Sequence, residues 1–174
     1  MNNRKTPEYI YSNQVTKEHR KQFAQFFTPR RIADIMADWL VGCEKLNSVL
    51  EPAFGLGIFT RALIEKQCSA KIIGYEIDEV ILNEARATFA GNNEIEIRNQ
   101  DYINSNWQDR YDGIICNPPY FKFQDYDNLG TTAEVKKYLH IDFSGFTNLY
   151  AYFLIKSVFQ LKEGGRCAYI IPSE

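Results

Sequence analysis

Four apolar segments of this chain end in a carboxylate or an amide side chain, and stretches of helical composition follow most of them. Short strand-helix units of this kind form a parallel sheet with helices on both faces and right-handed crossovers. In such sheets a ligand binds beyond the carboxyl ends of the strands, near the point where the strand order reverses. The polar residues at those ends are Glu51, Glu76, Asp101 and Asn117. The sequence therefore predicts an α/β fold, mostly parallel, with one ligand site along that edge.

Apolar periodicity and turn residues predict the individual elements. Helices are expected over 29–41, 58–65, 79–89 and 148–161, the first with Thr28 as its amino-terminal cap and an apolar stripe of Ile32, Ile35, Met36, Trp39 and Leu40. Strands are expected over 48–52, 71–75, 94–98, 111–116 and 167–171, with a turn over 162–165 before the last. Residues 1–22 are predicted to be an irregular amino-terminal arm, residues 23–174 one domain, and the segment after Tyr120 a long loop through Phe146.

Composition argues against several classes of protein. Four cysteines and two histidines are spread singly along 174 residues, so we expect buried free thiols, no disulfide framework and no metal site. A formal net charge of -2 argues against a self-sufficient nucleic-acid binder. Polar residues follow the amino end, which predicts neither a signal peptide nor a membrane-spanning helix. We therefore expect a cytoplasmic protein without a membrane partner.

A glycine-containing turn follows the first predicted strand. Residues 53–57 read Ala-Phe-Gly-Leu-Gly, and glycines permit a tight turn and close approach of a ligand to the backbone. Glu76 follows roughly 20 residues later, where nucleotide-binding α/β folds place a carboxylate on ribose hydroxyls. A third glycine of the pyrophosphate-binding type is absent, so the predicted cofactor is S-adenosyl-L-methionine rather than a dinucleotide. Asp101 suits the amine of that nucleoside, whereas Asp78 is expected to cap the next helix.

The fourth predicted strand ends in Asn117-Pro118-Pro119-Tyr120. Two consecutive prolines cannot continue a helix or a central strand, so the chain must leave the sheet there. The amide oxygen of Asn117 and the carbonyl of Pro118 can both accept hydrogen bonds from one amino group of a substrate. Two such acceptors draw the lone pair of the amino nitrogen out of conjugation, so that this nitrogen can attack a methyl donor directly. Tyr120 supplies a ring for stacking, and a base in a duplex must first be flipped out to reach it. The alternative is that the segment is only a rigid turn.

In chain order these motifs resemble the gamma-class N6-adenine-specific DNA methyltransferases, the restriction-modification enzymes of the TaqI and Eco57I type. The resemblance covers residues 23–174 and rests on Thr28-Pro29, residues 51–57, residues 74–78, Asp101-Tyr102, residues 117–120, residues 148–150, Gly164-Gly165 and residues 171–173. It implies a Rossmann-like class I methyltransferase fold. It also implies methyl transfer from S-adenosyl-L-methionine to the amino group of a flipped adenine in double-stranded DNA, as part of a restriction-modification system.

The resemblance further implies roles for single residues. The cofactor would be bound by Phe27, Thr28, Glu51, Pro52, Ala53, Gly55, Gly57, Glu76, Ile77, Asp101, Tyr102, Asn117 and Pro119. Within that set, Glu51 and Ala53 would hold the methionine part, and Glu76 would hold the ribose. Ile77 would pack on the cofactor's adenine, whose amine Asp101 would accept with Tyr102 beside it. The target adenine would be held by the catalytic segment Asn117, Pro118, Pro119 and Tyr120.

This chain departs from that family in its length, and two alternatives to the DNA-adenine interpretation stay open. The family continues into two more strands and a separate target-recognition domain, whereas this chain stops after its fifth predicted strand. We therefore expect an incomplete catalytic domain, DNA binding through the missing region, and an exposed sheet edge able to pair with another chain. One alternative is a methyltransferase acting on a protein glutamine or on guanine in ribosomal RNA, which also carry Asn-Pro-Pro-Tyr. The other is an inactive fragment that only binds the cofactor or a partner.

Overall fold

The strands form one parallel sheet. The computed structural model describes residues 6–16, 27–120, 129–140 and 148–172. Its strands are β1 (Ser48–Glu51), β2 (Lys71–Glu76), β3 (Ile95–Asn99), β4 (Tyr111–Cys116) and β5 (Leu161–Tyr169). They pair in parallel in the order β3-β2-β1-β4-β5. The predicted parallel α/β architecture is confirmed.

Helices cover both faces of the sheet. Those within the described ranges are α1 (Pro7–Gln14), α2 (Arg30–Val41), α3 (Ile58–Glu65), α4 (Glu79–Thr88), α5 (Leu129–Leu139) and α6 (Leu149–Gln160). Neighbouring residues of β1 face opposite sides, because side chains alternate along a strand. Val49 lies in a buried cluster with residues of α2, α3 and α4, whereas Leu50 lies in a second cluster with residues of α6. The two clusters are the two cores that hold the sheet between its helices.

The strand order reverses between β1 and β4. The chain moves outward from β1 through β2 to β3 and then returns to place β4 on the other side of β1, with Val49 opposite Gly113 and Leu50 opposite Ile114. Adjacent loops diverge at such a point and leave a crevice beyond the carboxyl ends of the strands. Glu51 and Asn117 leave the sheet there, so the topology brings the first and fourth predicted strand ends together.

The amino-terminal segment differs from the prediction. Residues expected to be irregular form α1, whose first turn is capped by the Thr6 hydroxyl accepting from the Tyr9 amide at 3.3 Å. Tyr11 is buried against Leu56 and Ile81, which ties the helix to the body of the protein. Thr6 followed by proline is a helix-start signal that periodicity alone does not reveal. Residues 17–26 lie outside the described residues. They include the end of the predicted arm and the predicted start of the domain.

Two predicted connections also differ. Helix α5 lies within the segment predicted to be a long loop, while residues 121–128 and 141–147 lie outside the described residues. The predicted turn over 162–165 is part of β5, because Leu161 already pairs with Tyr111. The register then shifts so that Gly113 pairs with Arg166, and Gly164 adopts φ 74° within that irregularity. The last strand therefore starts earlier than predicted and contains a bulge.

The buried face of α2 is rotated from the predicted apolar stripe. Ala33, Met36, Ala37 and Leu40 are buried, whereas Ile32, Ile35 and Trp39 are 41%, 63% and 54% exposed. Small residues let α2 lie close to the sheet, so alanines occupy the contact that larger side chains were expected to make. The guanidinium of Arg166 lies 4.6 Å from the centre of the Trp39 ring and covers part of it.

Of the four cysteines only Cys116 is fully buried, and Cys43, Cys68 and Cys167 are partly exposed, contrary to the expectation of four buried thiols. None of the described helices is long and apolar enough to cross a membrane.

Candidate active site

The turn after β1 is built by backbone hydrogen bonds and two glycines. The Phe54 amide donates to the Tyr75 carbonyl at 2.8 Å, and the Gly57 amide donates to the Phe54 carbonyl at 2.9 Å. Gly55 and Gly57 have φ of 55° and 73°, which favours glycine at both positions. A Cβ on Gly55 meets no atom within 4 Å, so that side of the turn is open, while Gly57 is packed against the Phe89 ring and precedes α3. The turn thus offers an open backbone surface above Gly55.

Glu76, at the end of β2, holds this turn in place. Its Oε2 accepts from the Gly55 amide at 2.9 Å, and its Oε1 accepts from the amides of Ile77 and Asp78 at 2.9 and 2.8 Å. Burial raises the pKa of the Glu76 carboxyl, and these backbone donors oppose the rise. A carboxylate oxygen has room for two donors, so Oε2 can still accept from a hydroxyl of a ligand. The structure joins two sites that the sequence predicted separately, the glycine turn and the ribose carboxylate.

Glu51, at the end of β1, carries an orphaned oxygen. The residue is 0% exposed, and its Oε2 accepts from the Thr60 hydroxyl at 2.7 Å. Its Oε1 has no hydrogen-bond partner among the described residues. Burial raises the pKa of this carboxyl to about 8. A buried acceptor left without a donor costs about 1–3 kcal/mol, so this oxygen is suited to a donor that arrives with a ligand.

Asp101 lies two residues beyond β3, on the loop that leads toward β4. Its Oδ1 accepts from the Ile103 amide at 2.9 Å, and the Asn104 side chain donates to its Oδ2 at 3.4 Å. Burial raises the pKa of the Asp101 carboxyl, and the charge of Lys156 opposes the rise. Ile77 is 49% exposed at the neighbouring strand end and presents an apolar surface beside Glu76. Asp78 caps α4 by accepting from the Val80 amide at 2.9 Å, which confirms its predicted structural role.

Tyr102 was predicted to border the cofactor beside Asp101, but its side chain is directed into the core. It is 1% exposed, and its hydroxyl donates to the Gln160 side chain at 2.7 Å and lies 3.0 Å from the Ser157 hydroxyl. Its ring packs against those of Tyr75 and Phe153. Partners on α6 therefore determine its orientation, and they are distant in sequence.

Asn117 leaves β4 with both ends of its amide engaged. Its Nδ2 donates to the Thr28 hydroxyl at 3.1 Å, and its Oδ1 accepts from the Tyr120 hydroxyl at 2.7 Å. The prediction of Thr28 as a helix cap is wrong, because α2 begins after Pro29 and has no side-chain cap. The Thr28 hydroxyl bonds to Asn117 instead. The segment before α2 is thereby brought against the end of β4.

The remaining predicted site residues surround these groups. Pro52 and Pro118 are buried, and Ala53, Pro119 and Tyr120 are half-buried. Phe27 packs edge-on against Tyr11, with ring centres 5.8 Å apart. The Tyr120 hydroxyl is also 3.4 Å from the Ile170 carbonyl, and its ring centre lies 6.3 Å from that of Tyr150 on α6. The Tyr120 side chain thus contacts the Asn117 amide, and the Tyr150 ring lies beside that of Tyr120.

Sequence reasoning missed the buried polar face of α6. Lys156, Ser157 and Gln160 are at most 1% exposed, although none of them was among the predicted site residues. The available signal was the spacing, because these residues share a helix face with Tyr152 and Phe153, which are buried in the core. Their partners could not be found from periodicity, because most of them lie on the loop after β3 and one, Tyr169, lies on β5.

Comparison with known proteins gives consistent matches. The family described as Eco57I restriction-modification methylase matches residues 44–174. The type II methyltransferase M.AccI of Acinetobacter calcoaceticus is 51% identical over 178 residues, covering 98% of this chain and 33% of that protein. M.HincII of Haemophilus influenzae is 32% identical over 150 residues, covering 85% of this chain and 27% of that protein. The chain thus spans about a third of the length of these curated relatives.

Solved structures share the fold at low sequence identity. The type I restriction-modification methyltransferase subunit from Streptococcus thermophilus superposes with a TM-score of 0.63 at 17% identity, over 87% of this chain and 36% of that one. An S-adenosylmethionine-dependent methyltransferase from Clostridium acetobutylicum gives 0.55 at 18% identity, over 90% of this chain and 56% of that one. The sheet and its helices therefore have the class I methyltransferase fold.

Proposed function

Because this chain belongs to the Eco57I restriction-modification methylase family, we propose that it transfers a methyl group from S-adenosyl-L-methionine to the exocyclic amino group of an adenine flipped out of double-stranded DNA. The observation that carries the proposal is the position of Asn117. It leaves β4 beside β1 at the reversal of strand order, and Thr28 and Tyr120 hold its amide. Asn-Pro-Pro-Tyr is thereby placed next to the strand that carries Glu51.

The residues along the edge fit the cofactor. The orphaned Oε1 of Glu51 suits the cofactor's ammonium group, since a buried acceptor is best satisfied by a charged donor. Glu76 has capacity for a ribose hydroxyl, and Asp101 for the adenine amine. Ile77 offers an apolar surface for the adenine ring. When bound, the cofactor supplies a methyl group on a sulfonium that is open to direct attack by an amine.

The chain's own residues would act on the amine. The Asn117 Oδ1 and the Pro118 carbonyl accept from the amino group and direct its lone pair away from the ring system. One nitrogen-carbon bond would form as one sulfur-carbon bond breaks, the cofactor would leave as a neutral thioether, and the nitrogen would release one proton to solvent. No covalent protein intermediate would be needed. Tyr120 holds the extruded base by stacking, and its hydroxyl must yield part of its bond to Asn117 when the amine arrives.

The relatives favour DNA over the other acceptors. Those described above are type II methyltransferases, whereas a protein glutamine or a ribosomal RNA guanine is the acceptor in the alternative proposed from the sequence. We propose that the part of such proteins beyond the matched third supplies sequence recognition and most DNA contacts. A cytoplasmic location, where the DNA substrate lies, belongs to the same proposal.

Asn117→Ala tests the catalytic assignment. The variant should lose methyl transfer to DNA by at least about a hundredfold, because one of two acceptors on the amine is gone. Its affinity for S-adenosyl-L-methionine should fall by no more than about threefold, because Asn117 is only one of the residues expected to bind the cofactor and Glu51, Glu76 and Asp101 remain. Transfer is measured with radiolabelled cofactor on unmethylated genomic DNA, and affinity by calorimetry.

The matched control is Asn83→Ala, which changes an exposed asparagine of α4. It should leave both quantities unchanged. Retention of wild-type transfer by Asn117→Ala would contradict the assignment of Asn117 to the amine.

A further inference from the structure

The ammonium group of Lys156 is surrounded by backbone carbonyls of one loop. Its Nζ donates to the carbonyls of Tyr102, Ile103 and Ser105 at 2.6, 3.1 and 2.7 Å, and to the Ser105 hydroxyl at 2.9 Å. The residue is 0% exposed. An ammonium has three N–H donors, and the three carbonyls and one hydroxyl around it are enough to use all of them. A buried charge is tolerated only with such complete pairing, which makes this contact specific.

The loop that Lys156 holds is the one that carries Asp101. The Asp101 carboxylate itself accepts from the Ile103 amide, so its position depends on the same turn. The rings of Tyr102 and Trp107 lie 4.7 and 5.1 Å from Nζ and close the site from the side. Gln160, one turn further along α6, donates to the Asn106 carbonyl at 2.8 Å. Helix α6 therefore fixes this loop from its first residues to its middle.

We propose that Lys156 is a positioning residue for cofactor binding: by bonding to the carbonyls of residues 102, 103 and 105 it sets the place and orientation of the Asp101 carboxylate. The proposal rests on the proposed function, because it takes Asp101 as the acceptor for the cofactor's adenine amine. It goes beyond that function by assigning the position of this acceptor to a lysine that does not itself touch the ligand.

The charge state of Lys156 should control this contact. Burial lowers the pKa of Lys156 to about 7, and the charges of Asp101, Glu134 on α5 and Asp109 before β4 oppose the shift. Above that pH the amine has only two N–H donors and one carbonyl loses its bond. The loop should therefore be held firmly below about pH 7 and more weakly above it.

Lys156→Met and Ser157→Ala separate positioning from general stability. Methionine keeps the length and apolar stem of lysine but has no donor. Ser157→Ala removes a neighbouring buried hydroxyl that lies 3.0 Å from the Tyr102 hydroxyl and 2.5 Å from that of Tyr169. It leaves every bond to the loop carbonyls in place, and Tyr102 keeps its bond to Gln160. Both should lower the melting temperature, and only Lys156→Met should alter the loop.

Amide hydrogen exchange measures how firmly the loop is held when no cofactor is bound. Amides of residues 101–106 should exchange about tenfold faster in Lys156→Met than in the wild type, and at the wild-type rate in Ser157→Ala. Equal exchange in Lys156→Met and the wild type would overturn the inference, whatever the cofactor affinity.

Titration with S-adenosyl-L-methionine measures how the Lys156 contact affects cofactor affinity. Lys156→Met should bind about tenfold more weakly at about pH 6, and the ratio of its Kd to that of the wild type should fall at least about threefold by about pH 8.5. The ratio cancels the titration of Glu51 and of the cofactor, which both proteins share. A ratio near one at both pH values would overturn the inference while leaving the proposed function in place. If the wild-type protein binds no cofactor, both the proposed function and the positioning role of Lys156 are overturned. The hydrogen-exchange rates of residues 101–106 would still show whether Lys156 holds the loop.

Discussion

Glu51 has the environment least like that of an ordinary carboxylate. It is fully buried, one of its oxygens has no partner among the described residues, and burial raises its pKa to about 8. The folded, cofactor-free protein therefore keeps the proton on this group well above the pH at which an unfolded glutamate releases it. The same feature that suits the site to a cationic ligand makes the empty site less stable at high pH.

Glu51→Gln tests this linkage. The stability contributed by the raised pKa is fully present below about pH 4.5 and is lost as pH rises through about 8, because the unfolded chain then holds fewer protons. Without cofactor, the melting temperature of Glu51→Gln should therefore rise relative to the wild type between about pH 6 and about pH 9, by about 2–4 °C per kcal/mol. Thermal denaturation measures the difference, with exposed Glu84→Gln as the control. A difference that does not change with pH would show that Glu51 is already ionised.

At the scale of elements, the turn between β1 and α3 depends on backbone geometry. Gly57 has φ 73°, and a Cβ there would lie 2.5 Å from the Phe89 ring of the neighbouring α4 region. The Glu76 carboxylate also accepts from the Gly55 amide of this turn, so displacement of Gly57 should be transmitted to the carboxylate that we propose binds the ribose.

Gly57→Ala should destabilise the protein by about 2–5 kcal/mol, as the sum of a left-handed backbone and an overpacked ring contact. Gly91→Ala is the matched control, because Gly91 has φ 85° but its Cβ would meet no atom within 4 Å. It should cost only about 1–2 kcal/mol. Denaturant unfolding compares the two, and equal losses would mean that the Phe89 contact carries no energy.

Elements with a strong periodic signal were predictable. The strands β1 and β4 and the helices α3 and α4 lie close to their expected positions, because apolar alternation, turn residues and the Asp78 cap all act locally. Helix α5 was missed because its sequence is polar and carries little apolar periodicity. The role of Thr28 was missed because its partner, Asn117, is 89 residues away. Local sequence patterns therefore predict where helices and strands lie. Contacts with residues distant in sequence determine which hydrogen bond a side chain such as that of Thr28 makes.

The topology of the sheet explains why the position of the candidate site could be predicted from the sequence. Parallel strands place all their carboxyl ends on one edge, so four polar strand ends implied one site before any contact was known. The inward side chain of Tyr102 and the buried amine of Lys156 could not be predicted this way, since both depend on the packing of α6 against the loop after β3. Among the described strands, β5 lies at one edge of the sheet. Association of two chains through this edge is still a prediction, and sedimentation can test it.

The proposed activity of this site is methylation of adenine in DNA. The most direct measurement is nucleoside mass spectrometry of unmethylated duplex DNA incubated with deuteromethyl-labelled S-adenosyl-L-methionine and the protein expressed from its complete open reading frame. We expect labelled N6-methyladenine, and none when Asn117 is replaced by alanine. Label on cytosine, on ribosomal RNA guanine or on a protein glutamine, with unlabelled adenine, would contradict it.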